Sequence, residues 1–301
     1  MALLSDSSWI FLVLFYGIAK GARDVIKKKA LTKNTVMEVL FVYTFIAFLF
    51  CIPEIKEATL PMPGKYYPLI ALKSFIIFLA WIFSFKAIDN VPISLYGVLD
   101  LSRILFSTLF GIFVLKESVN TNQTIGFILV LSGLITLKLY PSFRQKRAVA
   151  LPVAAIDYRT ENVQRKFILM ILASCLLNAV SGCLDKIYMK DINSSQLQFW
   201  YMAYLVLFYG LYFVISKTRI NKSVFKNLWI YLLSFVFFIA DKALFIANKN
   251  PNSKVTIMTL IKQSSCIIAI LAGKFIFKEK NIGYKLFCAA IIIIGIVISV
   301  L

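Results

Sequence analysis

Residues 92–139, PISLYGVLDLSRILFSTLFGIFVLKESVNTNQTIGFILVLSGLITLKL, and residues 254–301, KVTIMTLIKQSSCIIAILAGKFIFKEKNIGYKLFCAAIIIIGIVISVL, align without a gap. Ser102 meets Ser264, Gly111 meets Gly273, Lys116-Glu117 meets Lys278-Glu279 and Gly133 meets Gly295, all 162 residues apart. Further out, Gly21, Asp24 and Lys29 of GARDVIKKK match Gly182, Asp185 and Lys190 of GCLDKIYMK at a spacing of 161. Ala80 and Ala87 match Ala240 and Ala247 at 160. A nearly constant spacing over three pairs of segments is the mark of an internal duplication, and a duplication governs every later reading of the chain.

The duplicated unit is made of lipid-soluble helices. The 301 residues are 60% hydrophobic and 16% charged, with a mean hydropathy of +0.83. A soluble domain runs about 45–50% apolar and about 25% charged, and 14 acidic residues cannot clothe a chain this long in water. Ten stretches are long and apolar enough to cross a hydrocarbon core of roughly 30 Å: 8–26, 36–55, 67–87, 92–115, 121–139, 167–189, 196–216, 229–248, 254–276 and 282–301. The polar, basic stretch 140–166 divides them into a first five-helix repeat, 1–139, and a second, 167–301. The first stretch is expected to be retained, because no basic region precedes Trp9 and Arg23-Asp24 leads into KKKALTK instead of a small-residue cleavage site. Five is odd, so the second copy enters the membrane from the other side. The expectation is an all-α integral membrane protein with ten transmembrane helices as two inverted five-helix repeats, an architecture typical of secondary transporters with a midplane site.

The Gly-x-x-x-x-Lys-Glu ending of the fourth span (Gly111 to Glu117) and of the ninth (Gly273 to Glu279), each followed sixteen residues later by a glycine (Gly133, Gly295), resembles the drug/metabolite transporter superfamily, EamA type. The resemblance runs over nearly the whole chain. It implies a ten-helix carrier or exporter of small metabolites with no bound cofactor, and cytoplasmic termini in many relatives. The chain departs from the pattern nine residues after the glutamate, where the family often has glycine: Gly126 keeps it and Cys288 does not.

The net charge of +19 would suggest nucleic acid in a soluble protein, but the basic residues gather at connectors. Lys27, Lys28, Lys29 and Lys33 follow the first span and Lys217, Arg219, Lys222 and Lys226 the seventh, while the connector after the sixth has only Lys190. The positive-inside rule then puts the odd-numbered loops in the cytoplasm and both termini outside, in a plasma or inner membrane. Trp9, Tyr66, Tyr67, Trp229, Tyr231 and Tyr284 fall at span ends, as an interfacial aromatic belt would. The expected partners are the bilayer, a small-molecule metabolite and, as a candidate assembly, a homodimer; nucleic acid is not among them.

Charges at depth cost at least ~2.5–3.5 kcal/mol each on insertion scales and ask for a partner or a wet cavity. Asp100 and Arg103, three residues apart, share a helix face, and Lys262 stands at the position equivalent to Asp100. The expected substrate site is therefore Asp100, Arg103 and Lys262 with Gln263, closed by Lys73 or Asp241, with Tyr96 on the wall. A purely structural network of ion pairs joining the halves is the competing reading. Asp24 and Asp185 are a matched pair, read either as a gate or proton site or as caps held by Lys27 to Lys29 and by Lys186. Glu117 and Glu279 are expected to steady the turn into the next helix. Gly17, Gly21, Gly97, Gly111, Gly182 and Gly273 are expected to admit close helix contacts. Tyr201, Tyr204, Phe208 and Tyr212 form a stripe on the seventh span, read as core- or lipid-facing.

No His occurs, and Cys51, Cys175, Cys183, Cys266 and Cys288 lack metal or disulfide spacing. With no nucleophile elbow, phosphate loop or cofactor motif either, the expectation is no enzyme, no catalytic residue, no metal and no cofactor. In-span cations outnumber in-span acids. The function expected is a secondary carrier or exporter moving a small polar, anionic or zwitterionic metabolite by alternating access. The alternative is a flippase for a lipid-linked or amphipathic substrate.

Overall fold

The computed structural model describes residues 8–117, 119–148, 158–279 and 282–300. All regular structure among them is helical: α1 (Ser8–Ala30), α2 (Val36–Cys51), the one-turn α3 (Ile55–Ala58), α4 (Tyr66–Asn90), α5 (Ile93–Leu99), α6 (Arg103–Phe113), α7 (Thr121–Ala148), α8 (Tyr158–Tyr188), α9 (Ser194–Ser216), α10 (Leu228–Lys249), α11 (Val255–Lys262), α12 (Ser265–Phe275) and α13 (Ile282–Val300), joined by short 3₁₀ turns. Seven segments within the described residues are long and apolar enough to cross a membrane. Large apolar side chains such as Phe11, Phe113, Val214 and Ile215 stand well exposed on the outside of the bundle. Water would penalise such a surface and lipid does not.

Local chemistry sets the helix starts. Thr35 and Glu38 form a capping box at the head of α2, and Asn193 and Gln196 form one at the head of α9. The spans expected at 92–115 and 254–276 are each broken in the middle. The first divides into α5 and α6 at a 3₁₀ turn, Asp100–Ser102, and the second into α11 and α12 at Gln263 and Ser264. The connector expected at 140–166 is also shorter than its polarity suggested. The backbone of α7 runs on to Ala148 and α8 begins at Tyr158, because Arg, Gln and Lys favour helix once the chain has left lipid.

Packing pairs the halves reciprocally. Matching α1 with α8, α2 with α9, α4 with α10, α5/α6 with α11/α12 and α7 with α13, the largest contacts have counterparts, while α3 on α9 and α12 on α13 do not. α1 packs on α10 as α8 packs on α4; α1 packs on α12 as α8 packs on α6; α2 packs on α10 as α9 packs on α4. α2 meets α9, and α7 meets α13. Close approach needs glycine where the broken helices touch: a Cβ on Gly97 would lie 2.6 Å from the Cβ of Ala269. Gly182 departs from its expected role, since nothing lies within 4 Å of a Cβ built there. It faces the cavity described next.

The belt residues divide. Trp229 and Tyr231 face outward, while Trp9 and Tyr66 are packed inside, Tyr66 because its hydroxyl donates to the Asp191 carboxylate.

Candidate functional site

Between α1, α4, α8 and α10, with the broken helices at its end, lies a cavity of about 100 Å³. The face of α1 that reaches it carries Tyr16, Lys20, Arg23, Asp24 and Lys27, a stripe at three- and four-residue spacing. α8 answers with Asn178, Ser181, Gly182 and Asp185. α4 contributes Lys73 and Trp81, α10 contributes Phe237 and Asp241, and Tyr96, Arg103 and Lys262 enter from the broken helices.

Most charged groups in this wall are paired, two of the pairs across helices. Arg23 of α1 meets Asp241 of α10 at 3.3 Å, lies over the rings of Tyr16 and Phe237, and donates to the Tyr16 hydroxyl at 3.1 Å. Lys73 of α4 meets Asp185 of α8 at 3.0 Å, its ammonium 3.7 Å from the Tyr201 ring centroid. Lys27 pairs with Asp24 one turn away at 2.9 Å, and lies over Phe85. Each arrangement gives a buried cation a carboxylate, an aromatic face or both, which lowers the cost of burying it.

The two helix breaks are tied together by one side chain. Lys20 donates to the Asp100 carboxylate at the first break, and to Gln263 Oε1 at 3.1 Å and Ser265 Oγ at 3.2 Å at the second. Gln263 in turn donates to the Asp100 carbonyl at 3.3 Å, and Arg103 reaches the other oxygen of the Asp100 carboxylate at 2.8 Å. The carbonyls and N–H groups freed by breaking a helix at depth must find partners inside the protein, and this cluster supplies some of them.

The residues expected from sequence are therefore brought together, with corrections. Arg103, Lys262, Lys73, Asp241, Tyr96, Asp24 and Asp185 line one cavity. Asp100 and Gln263 do not line it; they stand behind it in the joint between the halves. Neither Lys73 nor Asp241 closes the Asp100 cluster, because each is taken by a carboxylate or guanidinium on a facing helix, and Lys20 holds Asp100 instead. Asp185 is not capped by Lys186. One residue further round the helix, Lys186 turns away to the carbonyls of Asn248 and Asn250 and the hydroxyl of Ser253. The aromatic stripe on α9 splits: Tyr201 lines the cavity and Tyr212 is exposed. The site expected from sequence left out Lys20 and Arg23, and Lys27 entered only as a cap for Asp24, which its ion pair with that residue bears out. Their spacing with Tyr16 on one face of α1 is the signal that finds them.

Glu117 and Glu279 do more than steady a turn. Glu117 accepts from the backbone N–H of Val255 at 2.6 Å, the N–H of Thr256 at 3.1 Å and the Thr256 hydroxyl at 2.6 Å. Glu279 accepts from the N–H of Ile93 at 2.7 Å and from the Ser94 hydroxyl. Each carboxylate caps the broken helix of the other half.

Residues 7–139 match the EamA-like transporter family. The match spans nearly the whole first half of the chain. That family lies within the drug/metabolite transporter superfamily, and the match, together with seven membrane-capable segments among the described residues, supports a membrane transporter. No curated protein sequence matches it. Among solved structures, one crystal structure superposes with a TM-score of 0.69 over 97% of this chain and 96% of its own, at 14% identity. That likeness covers both halves of the chain, and at such identity it speaks for the fold alone.

Proposed function

We propose that this EamA-like transporter is a secondary carrier of the cell membrane. In this reading ten spans form two inverted five-helix repeats, and a small anionic or zwitterionic metabolite crosses by alternating access. The observation that carries the reading is the charged cavity walled by equivalent helices of both halves: α1 and α10 on one side, α8 and α4 on the other. Walls built from matched elements entering from opposite faces would give inward-open and outward-open states of similar energy, as alternating access requires. The reciprocal caps support the repeat: Glu117 on Val255 and Thr256, Glu279 on Ile93 and Ser94, every partner 162 residues from its counterpart. The odd-numbered connectors face the cytoplasm in this scheme and both termini face outward.

The test is to purify the chain and screen its thermal stability against amino acids, sugar phosphates, dicarboxylates and choline-like amines, since a ligand stabilises by mass action. Uptake of radiolabelled hits into proteoliposomes follows. Saturable uptake of an anionic or zwitterionic compound is expected, with cysteine tags on the two termini labelled from the same face of cells. Uptake confined to cations, no uptake of any hit, or termini on opposite faces would overturn the reading.

A further inference from the structure

The cavity holds more positive charge than its carboxylates answer. Arg23, Lys27 and Lys73 each have one carboxylate of their own: Asp241, Asp24 and Asp185. Lys20 and Arg103 share the single carboxylate of Asp100. Lys262 lines the same cavity and makes no ion pair among the described residues; its ammonium lies 5.6 Å from the centroid of the Tyr16 ring. Six cations therefore face four carboxylates, an excess of two positive charges, in and behind a space lined by Tyr16, Trp81 and Phe237. An uncompensated buried charge is costly, and a bound counter-ion removes the cost. Arg103 adds a second sign of vacancy: its Nε–H is buried with no acceptor, although one Nη is bonded to Asp100. A planar guanidinium with a free edge suits an oxyanion, and buried donors normally find a partner.

We infer that the cavity binds a compact dianion, a phosphomonoester or a dicarboxylate, held between Lys262 and Arg103, and that Lys262 sets the preference for two negative charges over one. The inference rests on the carrier reading only for the meaning of the site as a substrate site; binding itself does not depend on transport. Lys262 is the last residue of α11 and Arg103 the first of α6, so a dianion joining them would bridge the broken helices of the two halves. The zwitterion allowed by net charge alone would bring its own cation into a wall that has already spent its carboxylates.

The test measures thermal stability of the detergent-purified chain with inorganic phosphate and, separately, succinate. Chloride at equal ionic strength, glycine and choline serve as comparisons, and Lys262→Gln and Arg103→Gln are measured beside the wild type. Phosphate or succinate is expected to raise the unfolding temperature where the comparison solutes do not, and which of the two acts tells phosphate from carboxylate. Lys262→Gln removes an unpartnered charge, so it is expected to be as stable as wild type without ligand while its apparent affinity falls at least ten-fold. That keeps loss of response distinct from loss of fold, which Arg103→Gln risks because it leaves Asp100 with one partner fewer. Equal responses to glycine and to both dianions, or an unchanged response in Lys262→Gln, would overturn the inference. If amino acids are taken up into proteoliposomes while phosphate and succinate neither bind nor enter, the inference falls and the carrier reading stands. If a dianion binds and no compound is taken up, the carrier reading falls and the inference stands.

Discussion

The carboxylate of Glu117, at the end of the first half's broken helix, accepts the backbone N–H of Val255 at 2.6 Å, at the start of the second half's. Glu279 repeats the bond on Ile93 at 2.7 Å. Helix starts leave N–H groups without intrahelical partners, and here the missing acceptor comes from the opposite copy. The halves are thus fastened at two sites by the same chemistry used twice.

Removing that acceptor should loosen the joint. Glu117→Ala strands the N–H groups of Val255 and Thr256 and the Thr256 hydroxyl, and is expected to cost about 1–3 kcal/mol, with Glu279→Ala similar. Glu117→Gln keeps an acceptor oxygen and should lose less. Unfolding temperatures in detergent decide it, and a Glu117→Ala protein as stable as wild type would show the cap to be incidental. Both glutamates follow a lysine in the left-handed region, Lys116 at φ 55° and Lys278 at φ 50°. Lys116→Gly should therefore relieve strain of up to roughly 1 kcal/mol.

Lys20 is the second fastening. Its ammonium reaches the Asp100 carboxylate, Gln263 and Ser265 at once. Lys20→Met leaves Asp100 to Arg103 alone and removes donors from both breaks; the expected loss is about 3 kcal/mol, the scale of breaking a buried pair from one side. Adding Asp100→Asn should recover part of it. A thermal double-mutant cycle with no coupling between the two positions would contradict this assignment.

The pairing of Lys73 with Asp185 separates stability from transport. Lys73→Gln leaves a carboxylate buried and unanswered and is expected to destabilise by about 3 kcal/mol. Lys73→Gln with Asp185→Asn removes both charges and should regain most of that stability. Transport should stay at least ten-fold below wild type in the double variant, because the cavity wall has lost the ion pair that joins α4 to α8. Full uptake by the double variant would mark the pair as purely structural.

Much of this was legible before any coordinates. The 162-residue spacing located the two matched segments that form α5 to α6 and α11 to α12, and the cost of charge in lipid singled out Arg103, Lys262, Lys73 and Asp241, which line one cavity, along with Asp100, which stands behind it. The breaks themselves were not legible, because α5 to α6 and α11 to α12 read as continuous apolar runs and no proline marks either turn. Partner choice was equally hidden. Sequence spacing shows that Asp100 and Arg103 share a face, but it cannot show that α1 lies against α10 and against the end of α5 and so hands Arg23 to Asp241 and Lys20 to Asp100. Asp185 was read beside Lys186 for the same reason: adjacency along a helix says nothing of which residue faces Lys73 on α4.

Two glycines predict opposite behaviour from the same substitution. Gly97 is pressed against α12, with a built Cβ 2.6 Å from the Ala269 Cβ. Gly97→Ala should therefore overpack the crossing of the broken helices at a cost of about 1–3 kcal/mol, and Ala269→Gly should relieve it by vacating that volume. Gly182 lines the cavity with nothing within 4 Å of its built Cβ, so Gly182→Ala should leave the unfolding temperature unchanged. A bulkier Gly182→Leu projects into a space of only about 100 Å³ and should cut uptake at least ten-fold with little loss of stability. Measuring both properties on all four variants checks the assignment. If Gly182→Leu transports normally, the solute does not pass this wall, and the cavity between α1, α4, α8 and α10 loses its claim to be the route.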